Sequence, residues 1–386
     1  MTSVQPPSRP IPSTRISPDN ATVLTNLGLL AELAGTWHGT GFNLIGRPDF
    51  QDNANVFLEL NLTHETLTFD PISSSIPNRG TFQPDIELFG LTYLQKISDA
   101  TTGGALHIEP GIWVTQPATT QPPLSPPGGA QLVARLGNIP HGNSILVEGI
   151  ATSFSGPPVI SPGAQPIAGG NPAFSSFLSF NSTPFTPPFP TPIFSAGTSE
   201  LQSKPGGGFS EYTLTNPASG TNPRTPLGNL PPVLDPRITQ ALVNDPIILL
   251  QQKIQEQIAQ GHEFSGTVLN IASLTPIPFF TQPAIAGNPA PPTETVNLPQ
   301  FGGGIENLGF LQTNATTALV YATFWIEKVT HPNLPAFMQL QYAQMTLLNF
   351  PAILIPSTAQ PPISDQGKLN FSWPHVSVAT LRKTFG

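Results

Sequence analysis

The chain has 386 residues, of which only 9% are charged and 48 are proline, whereas typical soluble domains have about 25% charged residues and about 5% proline. Because proline breaks helix interiors and cannot donate a hydrogen bond to a sheet, a mostly helical protein is excluded. The net charge is −8 with 14 lysines and arginines, which argues against a nucleic-acid partner. The absence of cysteine excludes disulfides, thiolate catalysis and cysteine metal sites.

The N-terminal segment is rich in proline, serine and threonine, and over residues 1–25 we expect a disordered arm. It has no apolar core of a secretory signal. No uninterrupted apolar stretch reaches the roughly 18 residues of a membrane-spanning helix. We therefore expect a cytoplasmic protein without a membrane span.

Strand-like runs dominate residues 26–154, after a helical turn predicted at 26–34. In FLELNLTH, Leu58, Leu60 and Leu62 alternate with polar residues, which is the period of a half-buried strand. Turns such as PNRG, TTGG and PHGN separate the later runs. Regular short strands joined by tight turns predict an all-β antiparallel meander or barrel. The later runs lie at 88–97, 104–116, 130–137 and 144–154.

The pattern is interrupted over 155–312, a Pro/Gly-rich stretch that we interpret as an ordered insert or lid, which could cover a barrel mouth. One helix is predicted inside it, with Asp245 as N-cap, Pro246 at the first helical position and Gly261 at its end. The insert also contains two strand-like segments, FSGTVLNIASL and TETVNL.

Strand signals resume over 313–386, which we assign to the closing strands of the same barrel. Phe324 and Trp325 are neighbours and must point to opposite faces of their strand. Both are large and apolar, so we expect the insert to cover one side of this strand. The runs are 316–329, 336–350 and 374–385.

Motifs of common catalytic sites are missing from the sequence. It contains no HExxH, no histidine pair at i, i+4, no GxSxG, no P-loop and no GxGxxG after a strand. Seven histidines remain as candidate ligands or acid–base groups.

Four segments together resemble the nitrobindin-like haem-binding β-barrels, a branch of the calycin and fatty-acid-binding-protein architecture. They occur in that family's order, and the resemblance that they carry spans the barrel, roughly half of the chain, without the N-terminal arm and the 155–312 insert. The segments are GTWHGTG at 35–41, LHIEPGIW at 106–113, QYAQMTLL at 341–348 and PHVSVATLRK at 374–383.

This resemblance implies an all-β, calycin-like antiparallel barrel of about ten strands that binds haem b. His375 would be the axial iron ligand and Met345 a residue of the distal wall, although filling of the core is an equal alternative for Met345. Trp37 would close the barrel floor and would belong, with His375 and Met345, to the cofactor-binding residues. The segment after the first motif, FNLIGRPDF, departs from the family's Tyr-Pro-Thr pattern, and the long insert has no counterpart in the small members.

Other histidines have less specific interpretations. For His107 we expect a cross-strand hydrogen bond, with a cavity-facing position as a distal group as the alternative. With Arg79 or Arg47 it would supply the base and cation that a peroxidase needs. His141 lies in a turn and His38 is expected to point outward.

Three functions remain open. The first is a ferric haem protein that reacts with nitric oxide, peroxynitrite or peroxide. The second is a haem enzyme with peroxidase- or dehydratase-like activity on an organic substrate held under the insert. The third is a haem-free carrier of an apolar small molecule. All three have a small-molecule partner, and the low charge makes a homo-oligomer possible.

Overall fold

The computed structural model of the protein describes residues 20–49, 54–78, 83–120, 123–126, 128–139, 143–160, 235–239, 242, 246–273, 319–353 and 368–384. The ordered elements begin with helix α1 (Asn20–Leu27) and a 3-10 helix (Gly28–Leu33). A second helix, α2, spans Ile248–Ala259.

Ten strands form a closed antiparallel barrel, in the order β2-β1-β13-β12-β11-β10-β9-β8-β5-β4, which closes through β2–β4 pairing. The fold is therefore the predicted all-β, calycin-like barrel. Short β3 pairs with β4, and β6 pairs with β7. The strands are β1 Gly35–Asp49, β2 Ala54–Pro71, β3 Ile76–Asn78, β4 Ile86–Asp99, β5 Ala105–Gln116, β6 Thr119–Thr120, β7 Pro123–Leu124, β8 Gln131–Ile139, β9 Asn143–Ser155, β10 Glu263–Ser273, β11 Leu319–His331, β12 Leu334–Ile353 and β13 Lys368–Thr384.

One end of the barrel, which we call the floor, is closed by α1 and the 3-10 helix. Leu30 and Leu33 are fully buried there beside Trp37, whose Nε1 donates to the Leu33 carbonyl at 2.7 Å. The helical turn predicted at 26–34 is thus present. Residues 20–25, which we expected within a disordered arm, instead form the start of α1, because Val23 packs into the core.

The other end, which we call the mouth, lies where β1 and β12 end and β2 and β13 begin. Side chains alternate between the lumen and the outer wall along each strand. Ala379 and Leu381 belong to the lumen core, so His375 and Ser377 on the same strand also face the lumen. Val376 and Val378 face outward and are buried as well.

Helix α2 packs on the outer wall, so this part of the insert does not cover the mouth. Gln257 Nε2 donates to Gln339 Oε1 at 2.8 Å, and Gln341 Nε2 donates to the Leu250 carbonyl at 3.4 Å. Gln339 and Gln341 alternate with lumen-facing Leu340 and Tyr342, which places the two glutamines outside. Burial of both Phe324 and Trp325 fits the expected double coverage of β11.

The insert differs from expectation in two respects. Strand β10 lies within 155–312 but is a full barrel strand between β9 and β11. Helix α2 begins at Ile248, later than predicted, because the amides of Leu249 and Leu250 bond three residues back, to the carbonyls of Pro246 and Ile247. Asp245 and TETVNL lie outside the described residues, and Gly261, at φ 84°, ends the helix as predicted.

Candidate functional site

His375 lies on the lumen side of β13, close to the mouth. Its backbone pairs with Ile45 of β1 and Thr346 of β12. Its side chain is partly buried, and Nε2 lies 3.3 Å from Ser377 Oγ. The resemblance had implied that this histidine is an iron ligand, and the strand alternation presents it to the lumen.

His107 enters the lumen from β5, on a strand that does not pair with β13. Its ring lies edge-on to the His375 ring, with centroids 6.4 Å apart and an interplanar angle of 78°. His107 Nε2 is 3.2 Å from Glu109 Oε2. The ring of His107 therefore faces the cavity, which was the alternative interpretation, and its hydrogen bond to Glu109 lies along its own strand.

Glu109 is the centre of a buried ionic network. Arg135 of β8 donates from Nη2 to Glu109 Oε1 at 2.6 Å and from Nε to Tyr93 Oη at 3.0 Å. Tyr93 Oη also donates to Glu109 Oε1. The side chains of Glu109 and Arg135 are 0% and 2% exposed, so the ion pair is removed from water and each charge depends on its partner.

The network keeps Glu109 ionised. Burial alone would raise the pKa of Glu109, but the Arg135 charge and the hydrogen bonds from His107 and Tyr93 hold it at about 2. Burial raises the pKa of Tyr93 above its ordinary value, so the phenol stays protonated and can donate. Arg135 reaches further through Nη1 to Gln344 Oε1 at 2.8 Å, which links β8 to β12 across the lumen.

A second buried carboxyl, Glu65, lies nearer the floor. Tyr342 Oη donates to Glu65 Oε2 at 2.6 Å and Thr63 Oγ1 donates to Oε1 at 2.9 Å. Gln95 Nε2 bonds to Tyr342 Oη at 3.0 Å. Burial raises the pKa of Glu65, while these hydrogen bonds act in the opposite direction. The middle of the lumen is thus polar and internally satisfied.

Asn43 is a buried amide whose side-chain nitrogen and oxygen both lack a hydrogen-bond partner among the described residues. It lies on the lumen side of β1, paired with Ser377 and Asn61, and is 1% exposed. Buried polar groups are nearly always paired, so this amide, one inner position from His375, indicates a place where a bound molecule or water completes the lumen.

Trp37 lies at the floor and not beside His375. It is fully buried with the 3-10 helix, and Lys383 Nζ lies 5.2 Å from its ring centroid. Closure of the floor by Trp37 agrees with the sequence analysis. Direct contact between Trp37 and a cofactor at His375 has no support in this placement, because the two residues belong to opposite ends of the lumen.

The structure describes the other residues singled out in the sequence to different extents. The backbone of Met345 pairs with Tyr321 and Val376. Arg79 and His141 lie outside the described residues, and for Arg47 the description covers only the backbone. His38 points outward as expected, with Nδ1 3.1 Å from Thr66 Oγ1.

The sequence motifs do not single out Arg135 or Tyr93 as residues of the site. Arg135 interrupts the apolar run AQLVARLG at a lumen position, and a charged residue inside such a strand signals a buried partner. Its pairing with Glu109 depends on the β5–β8 register, which places Trp113 opposite Arg135 and Gly111 opposite Gly137.

Within the described part of the chain, no group of three or more histidine, cysteine and acidic residues has a geometry that would hold a metal ion. Among the described residues, no helix is long and apolar enough to cross a bilayer.

Comparison with known proteins gives little further information. No family model matches the sequence, and no curated protein matches it. Among solved structures, "Crystal Structure of Rv2717c from M. tuberculosis" aligns over 95% of this chain and 100% of that chain, with 11% sequence identity and a TM-score of 0.27. A likeness at this TM-score carries no argument, so the fold assignment stands on the strand pairing and the functional assignment on the lumen.

Proposed function

We propose that this protein binds haem b at the mouth half of its lumen, with His375 as the axial ligand. The observation that carries the proposal is the presentation of a partly buried imidazole to the lumen by the closing strand β13. Imidazole nitrogen is a common axial ligand of haem iron. The segment around His375 is also the one that resembles the final strand of the nitrobindin-like barrels.

The residues around His375 fit such a group. The Ser377 hydroxyl is 3.3 Å from the His375 ring and can orient it, which is how metal-bound histidines are usually fixed. The unpartnered amide of Asn43 is available for a polar contact with a bound molecule. His375 would hold the iron, and the other lumen residues would shape its surroundings.

The haem would supply a Lewis-acidic, redox-active iron that reacts with nitric oxide, peroxynitrite or peroxide. The residues of this chain have separate tasks. Glu109 orients the His107 ring towards His375, and Arg135 and Tyr93 keep Glu109 ionised and fixed. Tyr93, Glu109 and Arg135 are buried and keep bulk water away from this network.

A second candidate is a peroxidase-like enzyme. His107 faces His375 in the lumen, and the cation behind it is Arg135, held by Glu109. A base and a cation near a bound peroxide are the groups that assist O–O cleavage. Oxidation of an organic donor by peroxide, measured with the haem-loaded protein, distinguishes this enzyme from a protein that only binds small ligands.

Hemin titration followed by visible absorption tests the proposal. We expect a sharp Soret band that saturates at one haem per chain and is lost in His375→Ala. His331 lies at the floor end of β11, and His331→Ala is the matched control that should keep the band. Failure of the wild type to saturate at one equivalent, or an unchanged spectrum in His375→Ala, would refute the assignment and favour a haem-free carrier.

A further inference from the structure

A groove of about 500 Å³ lies on the outer wall of the barrel, beside the β4–β5 hairpin. This volume is within the usual range for small-molecule sites, about 300–1,000 Å³. On the outer face it is lined by the cationic or imidazole side chains of His38, His64 and Lys96 and by the hydroxyl side chains of Thr66 and Ser98. His107 also belongs to the lining residues, but its ring is turned to His375 in the lumen.

The strand register brings these side chains together on one surface. His38 pairs with Thr66, and Thr66 pairs with Lys96, so the three lie in one row across β1, β2 and β4. His64 pairs with Ser98 in the next outward row. Neighbouring strands are about 4.8 Å apart, so one small ligand can contact the imidazoles and the ammonium group together.

The groove carries the Lys96 ammonium group and two imidazoles that can donate hydrogen bonds, in a protein whose net charge is −8. The one carboxylate among the lining residues is Glu65, and it bonds with Tyr342 and Thr63 inside the lumen. Its charge therefore does not face the groove. The His38 row continues to Arg382 of β13, which adds a further cation at the edge of the surface.

One side of the groove is apolar. Ile108 is 44% exposed, one of the few large hydrophobic side chains in the described residues that is not covered, and Ala105 lines the groove beside it. Gly103 in the hairpin leaves the space above it open. An anionic group and an apolar body can thus be accommodated side by side.

We propose that this groove binds a phosphate monoester with an apolar body. Lys96, His38 and His64 hold the phosphate through charge-assisted hydrogen bonds, and the apolar part of the ligand covers Ile108. The three side chains that hold the phosphate face the outer wall, whereas the proposed haem site lies in the lumen.

Calorimetric titration with phenyl phosphate tests the site on the full-length protein. We expect one ligand per chain in the wild type. In the double variant His64→Gln/Lys96→Gln, affinity should fall at least about tenfold, because charge-assisted hydrogen bonds are lost. Lys253→Gln is the control, since Lys253 is an exposed lysine on α2, and it should bind as the wild type does. Thermal unfolding of each variant verifies that the barrel is intact.

Two further experiments test the contact with Ile108 and the source of the phosphate group. Ile108→Ser should weaken binding of phenyl phosphate but not of inorganic phosphate. Sedimentation with phosphatidylcholine vesicles, with and without phosphatidic acid, tells a lipid headgroup from a soluble ester, and co-sedimentation that depends on Lys96 identifies the lipid source. Absence of phenyl phosphate binding, or equal affinity in the double variant and the wild type, overturns the proposal.

Discussion

His107 on β5 and His375 on β13 meet edge-on inside the barrel, with ring centroids 6.4 Å apart, although 268 positions separate them in the sequence. The two strands do not pair with each other, since β4, β2 and β1 lie between them in the barrel order. The contact therefore crosses the lumen. It places His107 and His375, from two of the segments that resemble the nitrobindin-like barrels, in one region and makes that region the candidate site.

The buried ion pair between Arg135 and Glu109 gives the first prediction. Arg135→Met leaves the Glu109 carboxylate buried without its counter-charge and should lower the free energy of unfolding by about 3–5 kcal/mol. Urea unfolding at neutral pH measures this loss. Arg237→Met is the control, because the Arg237–Asp235 pair is exposed, and it should change stability by less than about 0.5 kcal/mol. Equal effects of the two substitutions would show that the lumen pair is not intact.

Glu109 should make the free energy of unfolding depend on pH below neutrality. Its pKa in the folded protein is about 2, below the ordinary 4.5, so its stabilising contribution is full above 4.5 and is lost as the pH falls towards 2. We expect the free energy of unfolding of the wild type to decrease over this interval. In Glu109→Gln the decrease should be smaller, whereas the exposed Glu256→Gln should follow the wild type.

Glu327 gives a pH effect of the opposite sign. It is fully buried on the outer wall of β11, with Oε2 2.5 Å from Gln339 Nε2, and Gln339 bonds in turn to Gln257 of α2. Burial raises the pKa of Glu327 to about 8, although the Gln339 hydrogen bond acts against this.

The folded state therefore favours the protonated form of Glu327. Its contribution is full below the ordinary pKa of 4.5 and is lost as the pH rises to about 8. Glu327→Gln mimics the protonated acid, so it should gain at least about 1 kcal/mol of stability relative to the wild type between pH 5 and pH 8. Urea unfolding of Glu327→Gln and of the wild type at pH 5 and at pH 8 measures this difference in stability. A constant difference between variant and wild type would contradict the buried, protonated carboxyl.

A side chain at Gly39, in the segment GTWHGTG, should cause a folding defect. A Cβ on Gly39 would lie 2.1 Å from the Thr380 carbonyl oxygen and 2.6 Å from Leu381 Cα. Both are backbone atoms of β13, so β1 and β13 would have to separate. Gly39→Ala should abolish cooperative unfolding or lower the melting temperature sharply. Gly128→Ala, where nothing lies within 4 Å, should melt as the wild type does.

Local signals in the sequence predicted most of the barrel. Alternation in FLELNLTH and the large neighbours Phe324 and Trp325 identified strands with two faces, and the Trp37 motif identified the floor. Strand β10 was recognised as strand-like but assigned to the insert, because Pro/Gly-rich segments surround it. Membership of the barrel depends on pairing with β9 and β11, which local periodicity does not specify.

The site was predictable only in part, for the same reason. His375 and His107 came from family-like motifs. Arg135 and Asn43 are inner residues whose partners, or lack of partners, depend on strand register. Arg135 reaches Glu109 from the neighbouring strand, and Asn43 reaches no partner among the described residues. The spacing of residues along the chain predicts neither the contact of Arg135 with Glu109 nor the unpartnered amide of Asn43.

Resonance Raman spectroscopy of the reduced, haem-loaded protein tests axial ligation by His375, because the iron–histidine stretching band reports the axial ligand itself. We predict this band in the wild type and in His331→Ala, its loss in His375→Gly, and its return when free imidazole fills the space left in that variant. A band that persists in His375→Gly and disappears in His107→Gly would assign the ligand to the opposite side of the lumen and refute ligation by His375.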